Sequence, residues 1–139
     1  MGVDSPWVYL DSCIVIYLVE EHTVFLEQIR TAISAAGDAQ FCISALVELE
    51  CLVVPLRLAD TDLQAEYERF FSKLVLLPIL DEAYRTAARL RATYGLKTPD
   101  ALHTAIAQYH GCTHLWTNDD RLSKAARGLA VNVSNLGET

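Results

Sequence analysis

The sequence lacks any apolar run long enough to cross a bilayer, which takes about 18 to 20 consecutive residues. Its longest apolar runs are Cys13–Val19 and Leu74–Leu80. The first residues also lack the basic flank of a secretory signal. These two absences predict a cytoplasmic protein without membrane association.

Cysteine pairs are lacking as well. The sequence has four cysteines, none of them in a Cys-x-x-Cys pair, and all of them lie in apolar stretches: Cys13, Cys42, Cys51 and Cys112. This excludes the usual spacing of zinc ribbons and thioredoxin-like redox sites. Buried free thiols are the simplest interpretation.

Basic residues are scarce, with 11 Lys+Arg against 18 Asp+Glu and a formal net charge of −7. A protein that binds nucleic acid through a broad basic surface is therefore excluded, because phosphate binding needs clustered Lys and Arg. A nucleic-acid enzyme is not excluded. Carboxylates gathered around a divalent cation can meet phosphates through the metal.

What the sequence does contain is apolar residues, at 52% of 139 positions. This content excludes intrinsic disorder, and the length predicts one compact domain over 1–139. Segments of strand and helix character alternate, which predicts an α/β fold with three α/β/α layers around a mostly parallel sheet of four to five short strands. The predicted strands are Trp7–Leu10, Gln40–Ile43, Leu74–Ile79, His114–Thr117 and Ala130–Val133. The continuous apolar run of Leu74–Ile79 predicts a strand that is covered on both faces. The predicted helices cover Cys13–Val19, Val24–Ala36, Ser44 towards Arg57, Thr61–Lys73, Asp81–Tyr94, Thr98–Gly111 and Asp120–Arg127, and Pro55 kinks or ends the third of them.

Acidic residues follow the strands. Asp11 comes after the first strand, Asp119 after the fourth, and Asp100 lies in the first turn of the helix between the third and fourth. Active sites of open α/β sheets form at the carboxyl ends of the strands, so these acids are candidates for one shared site. Each has a simpler interpretation as a helix cap or a partner of a helix dipole.

Glu50 is harder to explain as a surface charge. At one-turn spacing its neighbours are Leu46, Val47, Val53 and Val54, so its carboxylate projects from an apolar stripe. Buried carboxylates are normally paired or bound to metal. We favour Glu50 over Glu48 as the site residue, and the alternative is an internal salt bridge with Arg85, Arg89 or Arg91.

Three Asp and one Glu suit the hard cations Mg²⁺ and Mn²⁺, which prefer oxygen ligands. The four histidines fit zinc poorly. We interpret His103 as a packed or supporting group rather than a ligand.

Four segments resemble the signature blocks of PIN-domain nucleases, in order and with suitable spacing. They are Tyr9–Leu18 (YLDSCIVIYL), Ile43–Leu52 (ISALVELECL), Lys97–Ala105 (KTPDALHTA) and Leu115–Leu122 (LWTNDDRL). Within that superfamily, the chain resembles in its small size a VapC-type toxin of a type II toxin–antitoxin pair. The resemblance implies that Asp11, Glu50, Asp100 and Asp119 are catalytic and hold Mg²⁺ or Mn²⁺. It also implies that Ser12, Thr117 and Asn118, with Asp120 at most as an accessory, support the metal.

The activity implied by the resemblance is metal-dependent cleavage of RNA, with Lys97, Arg121 and Arg57 as possible phosphate contacts. Family members are usually homodimers, and the toxins are silenced by a cognate VapB-like antitoxin. Two alternatives stay open. One is a catalytically weak PIN-like module that binds RNA or protein, and the other is a housekeeping nuclease that is not a toxin.

Overall fold

The computed structural model describes residues 5–119, residue 122 and the backbone of residues 130–132. Strands and helices alternate along the chain, as the sequence predicts. The strands are β1 (Trp7–Leu10), β2 (Gln40–Ile43), β3 (Val75–Leu76), β4 (His114–Thr117) and β5 (Ala130–Asn132). The helices are α1 (Ser12–Val19), α2 (Leu26–Ala35), α3 (Ala45–Arg57), α4 (Thr61–Phe71), α5 (Asp81–Tyr94) and α6 (Thr98–Tyr109).

The five strands form one sheet in the order β3-β2-β1-β4-β5, and every pairing is parallel. The chain moves from β1 outward through β2 to β3, and then returns to place β4 on the other side of β1. Right-handed crossovers therefore put α1–α4 on one face of the sheet and α5 with α6 on the other. The predicted three-layer α/β/α fold is confirmed.

Strand order reverses between β1 and β4, and this is the crevice where parallel α/β folds bind ligands. Leu10 pairs with Trp116 in register, so the residues that follow β1 and β4 emerge side by side. The fold thus brings Asp11 and Thr117 to the same edge of the sheet. Helix α6 reaches that edge from the opposite face, since it leads directly into β4.

The predicted third strand, Leu74–Ile79, is wrong in extent and burial. Only Val75–Leu76 pair as β3, and Leu76 is 55% exposed. β3 lies at the edge of the sheet, where one side has no neighbouring strand, and Pro78 has no N–H with which to extend the ladder. An apolar run alone does not distinguish a buried central strand from an edge strand.

Helix boundaries are closer to prediction. α3 reaches Arg57 as expected, and Pro55 does not end it, because its ring is buried against the core. α5 ends at Gly95, which adopts the left-handed conformation with φ 69°. α2 begins two residues later than predicted, since His22 holds the preceding turn by accepting the N–H groups of Val24 and Phe25 at Nδ1. The predicted helix Asp120–Arg127 lies outside the described residues.

All four cysteines are free thiols, three of them buried and Cys13 partly so, in agreement with the prediction. Among the described residues, no helix is long and apolar enough to cross a membrane.

Candidate metal centre

Asp11 is held in place at the end of β1 by both of its carboxylate oxygens. Oδ1 accepts the backbone N–H of Ser12 at 2.8 Å, and Oδ2 accepts the hydroxyl of Thr117 at 2.8 Å. Its own N–H donates to the carbonyl of Trp116. Asp11 therefore does cap α1, but its side chain also joins the ends of β1 and β4. A cap alone would need only the Ser12 bond.

Glu50 and Asp11 meet at the side chain of His103. His103 Nε2 lies 2.6 Å from Glu50 Oε1 and 3.7 Å from Asp11 Oδ1. Ligand atoms of these three residues lie within 4.8 Å of one another, a spacing that could hold a metal ion. His103 is fully buried, whereas the Glu50 side chain keeps 27% of its surface exposed. The carboxylate is thus anchored on one side and open on the other.

The reason given from sequence for choosing Glu50 is only partly right. The buried face of α3 consists of Val47, Cys51 and Pro55, while Val53 and Val54 are 43% and 45% exposed. Glu50 lies at the border of that face and not in the middle of an apolar stripe. Its hydrogen-bond partner is His103 and not an arginine of α5.

Asp100 is outside the close triplet but within its electrostatic field. Partial burial raises the pKa of its carboxyl, and the negative charges of Asp11, Asp119 and Glu50 raise it further, against an opposing effect of His103. Asp100 occupies the first turn of α6. The four acids therefore repel one another, and a bound cation would relieve that repulsion.

Asp119 and Asn118 follow β4 directly and lie at this edge of the sheet. Asp119 donates its N–H to the Thr117 hydroxyl, and its Oδ1 accepts the N–H of Leu122 at 3.3 Å. Asn118 donates from Nδ2 to the Tyr17 hydroxyl. The predicted phosphate contacts Lys97 and Arg57 are exposed, while Asp120 and Arg121 lie outside the described residues.

The donor set fits a hard divalent cation. Asp11 and Glu50 offer carboxylate oxygens, and the pKa of the nearby Asp100 carboxyl is raised first by burial and then by the negative charges of these acids. Oxygen ligands are those that Mg²⁺ and Mn²⁺ prefer. Among the described residues, the histidine nitrogen that lies close to these oxygens is His103 Nε2, which hydrogen-bonds Glu50.

Comparison with known families identifies the family to which the chain belongs. The family model described as the PIN domain matches residues 8–128, which include every acid of the site. The chain belongs to the PIN-domain family. Among curated proteins compared by sequence, none matches it.

Solved structures have the same PIN fold. A toxin–antitoxin complex from Klebsiella pneumoniae superposes with a TM-score of 0.75 at 23% identity, covering 91% of this chain and 97% of that one. VapBC2 from Rickettsia felis, bound to a promoter DNA fragment, gives 0.73 at 18% identity and covers 89% and 96%. VapC20 from Mycobacterium tuberculosis, a toxin that cleaves the sarcin-ricin loop, gives 0.69 at 13% identity and covers 85% and 94%.

The Thr117 hydroxyl should contribute to the stability of the PIN fold because it is itself buried, donates to the buried Asp11 Oδ2 and accepts the backbone N–H of Asp119. Thr117→Val preserves the shape and leaves both without this partner. We expect the free energy of unfolding to fall by about 1–3 kcal/mol, measured by urea denaturation. Thr113→Val is the control, since Thr113 is exposed and should change stability by less than about 0.5 kcal/mol. Equal effects of the two variants would contradict this role.

Asp100→Asn should stabilise the PIN domain when no divalent cation is present. The substitution removes one of the mutually repelling carboxylates, and we expect the melting temperature at neutral pH to rise by about 2–5 °C. Asp62→Asn is a matched control, because Asp62 also occupies the first turn of a helix but is exposed on α4. That variant loses only its helix-dipole interaction and should be neutral or slightly destabilising. If Asp100→Asn destabilises as much, the proposed repulsion is absent.

Proposed function

We propose that this PIN domain is a divalent-metal-dependent endoribonuclease and the toxin of a toxin–antitoxin pair. The observation that carries the proposal is the meeting of Asp11 and Glu50 at the switch point of the sheet, within reach of the charges of Asp100 and Asp119. Family membership supports a nuclease, and the acidic cluster supports metal dependence. RNA as the substrate, and Mg²⁺ or Mn²⁺ as the metal, are parts of the proposal.

In this proposal, Asp11, Glu50, Asp100 and Asp119 hold the cation. When bound, it would supply a Lewis acid for the scissile phosphate and lower the pKa of a water. The chain's own contribution is to fix the carboxylates in place. Thr117 and the Ser12 N–H orient Asp11, His103 orients Glu50, and Asn118 with Asp120 would support the edge nearby.

RNA would approach from the open side of Glu50. Lys97 directly precedes α6, and Arg57 ends α3, so both exposed side chains project from elements that also carry a site acid. We propose them, together with Arg121, as phosphate contacts. Each would contribute a salt-dependent attraction without sequence preference.

The proposed biological setting rests on the structural relatives, several of which are toxin–antitoxin complexes. We propose that a VapB-like antitoxin silences this chain, that two copies form a homodimer, and that the protein acts in the cytoplasm as a single domain. Co-expression with the protein encoded by a neighbouring short reading frame, followed by copurification, tests the antitoxin directly. Growth arrest on expressing the chain alone, relieved by that partner, is the expected result.

Cleavage of structured RNA by the purified chain tests the enzymatic proposal. We expect fragments when Mg²⁺ or Mn²⁺ is present and none after EDTA is added, with activity restored by excess metal. RNA that binds without being cut under all metal conditions would favour the alternative of a catalytically weak binding module. Cleavage that persists in EDTA would contradict a metal-dependent site.

A further inference from the structure

A buried line of hydrogen bonds runs from the start of α3 to the candidate metal centre. The Ser44 Oγ lies 2.8 Å from the Tyr9 hydroxyl, which lies 2.7 Å from His103 Nδ1. His103 Nε2 then lies 2.6 Å from Glu50 Oε1. We infer that His103 is a positioning residue, held by Tyr9 and Ser44, that fixes the Glu50 carboxylate and does not itself bind the metal. This inference rests on the proposed function of the acidic site.

The directions of the hydrogen bonds exclude His103 as a metal ligand while the line is intact. An ionised Glu50 carboxylate can only accept, so Nε2 must carry a proton and donate. If the imidazole is neutral, Nδ1 accepts from Tyr9, and Tyr9 accepts from Ser44. If it is a cation, Nδ1 donates to Tyr9, and Tyr9 donates to Ser44. Nε2 is protonated in both cases and has no lone pair for a metal.

Burial makes this line costly to break. Ser44, Tyr9 and His103 are each fully buried, so the surrounding protein offers them little access to water. Burial raises the pKa of the Tyr9 hydroxyl, which therefore keeps its proton and its ability to donate. A buried polar group that loses its partner destabilises the fold by about 1–3 kcal/mol.

Ser44 provides independent support. It stands at the N-cap position of α3, where a serine hydroxyl normally accepts an N–H of the first turn. Here the hydroxyl makes no such cap and faces Tyr9 instead. The Ser44 side chain therefore makes no hydrogen bond to the first turn of α3 and hydrogen-bonds Tyr9, 35 positions away. The Ser44 hydroxyl thereby gives the buried Tyr9 hydroxyl a second hydrogen-bond partner beside His103.

Two consequences follow for the metal. His103 Nε2 also lies 3.7 Å from Asp11 Oδ1, so the same nitrogen is near both proposed ligands, and its N–H attracts both carboxylates. With Nε2 occupied, the protein atoms facing the cation are oxygens. Such a shell favours Mg²⁺ or Mn²⁺ over Zn²⁺, whose sites commonly include a histidine nitrogen.

Two substitutions at position 103 test the contributions of the two imidazole nitrogens separately. His103→Gln places an amide N–H near the position of Nε2 and so can still donate to Glu50. His103→Asn reaches only as far as Nδ1, so it keeps the Tyr9 end and loses the Glu50 end. Each variant places a buried polar side chain at position 103 and loses one of the two hydrogen bonds that the imidazole makes. We expect His103→Asn to weaken Mn²⁺ binding about 10- to 100-fold in calorimetry, whereas His103→Gln stays within about threefold of wild type.

A spectroscopic measurement on the metal-free wild type accompanies these variants. Long-range ¹H–¹⁵N NMR of the His103 ring should show a proton on Nε2. Tyr9→Phe removes the hydroxyl with little change of volume and keeps the Glu50 bond, as His103→Gln does, so it should likewise leave Mn²⁺ binding within about threefold of wild type. Equal Mn²⁺ affinities for His103→Gln and His103→Asn, or an unprotonated Nε2, would overturn the inference. Failure of the wild type to bind Mn²⁺ would instead overturn the proposed function, and the NMR result would still decide the direction of the line.

Discussion

Asp11→Asn is expected to abolish the response of the protein to Mg²⁺ and Mn²⁺. Asp11 is 8% exposed, and its two oxygens are fixed by Ser12 and Thr117, so its carboxylate is held in one orientation at the site. A cation at one hundred times its dissociation constant should stabilise the wild type by about 2.7 kcal/mol. The variant keeps the shape of the side chain but loses its charge. We expect its melting temperature to be unchanged by metal.

The control for this measurement is Asp38→Asn. Asp38 is exposed, accepts a hydrogen bond from Ser5 and precedes β2 at the amino ends of the parallel strands, whereas the site lies at their carboxyl ends. It should show the full wild-type shift. A metal-induced shift that survives in Asp11→Asn would mean that the cation binds elsewhere and would remove the basis for the proposed site.

Glu50→Gln is expected to abolish RNA cleavage without unfolding the protein. The amide oxygen of Gln can still accept the N–H of His103 Nε2, so the buried contact survives while the negative charge is lost. We expect the cleavage rate at saturating metal to fall by about 10²- to 10⁴-fold, the range typical of removing an essential catalytic group. Rates from a labelled RNA under single-turnover conditions measure the effect.

Glu48→Gln is the matched control, two residues away on the same helix. Because Glu50 and not Glu48 contacts His103, Glu48→Gln should cut RNA at close to the wild-type rate. The opposite pattern, with Glu48→Gln inactive and Glu50→Gln active, would show that the site uses the other glutamate.

Much of the fold could be predicted from the sequence because its signals are local. Strand β1 is aromatic and β-branched, Gly95 ends α5, and the alternation of elements determines a parallel sheet. The third strand was the main error. Whether Leu76 is covered depends on the order of strands in the sheet, which no short window of sequence encodes.

Part of the candidate site could likewise be predicted from local sequence signals, and part could not. The sequence identifies three aspartates as site candidates because each lies at a strand end or a helix start, where the active sites of open α/β sheets form. They are Asp11, Asp100 and Asp119. The sequence favours His103 as a packed or supporting group, but its partners could not be predicted. Its partner Tyr9 is 94 residues away, and Ser44 looks from sequence like an ordinary helix cap. The available signal was a histidine within the buried run of α6, three residues after Asp100, and this predicts packing but not a partner.

The most direct test of the central claim is the anomalous diffraction of manganese in crystals of the wild-type protein grown with Mn²⁺. We predict a peak between Asp11 and Glu50, bonded to their oxygens, with His103 Nε2 still hydrogen-bonded to Glu50. Manganese bonded to His103 Nε2, or found only away from these acids, would contradict the account.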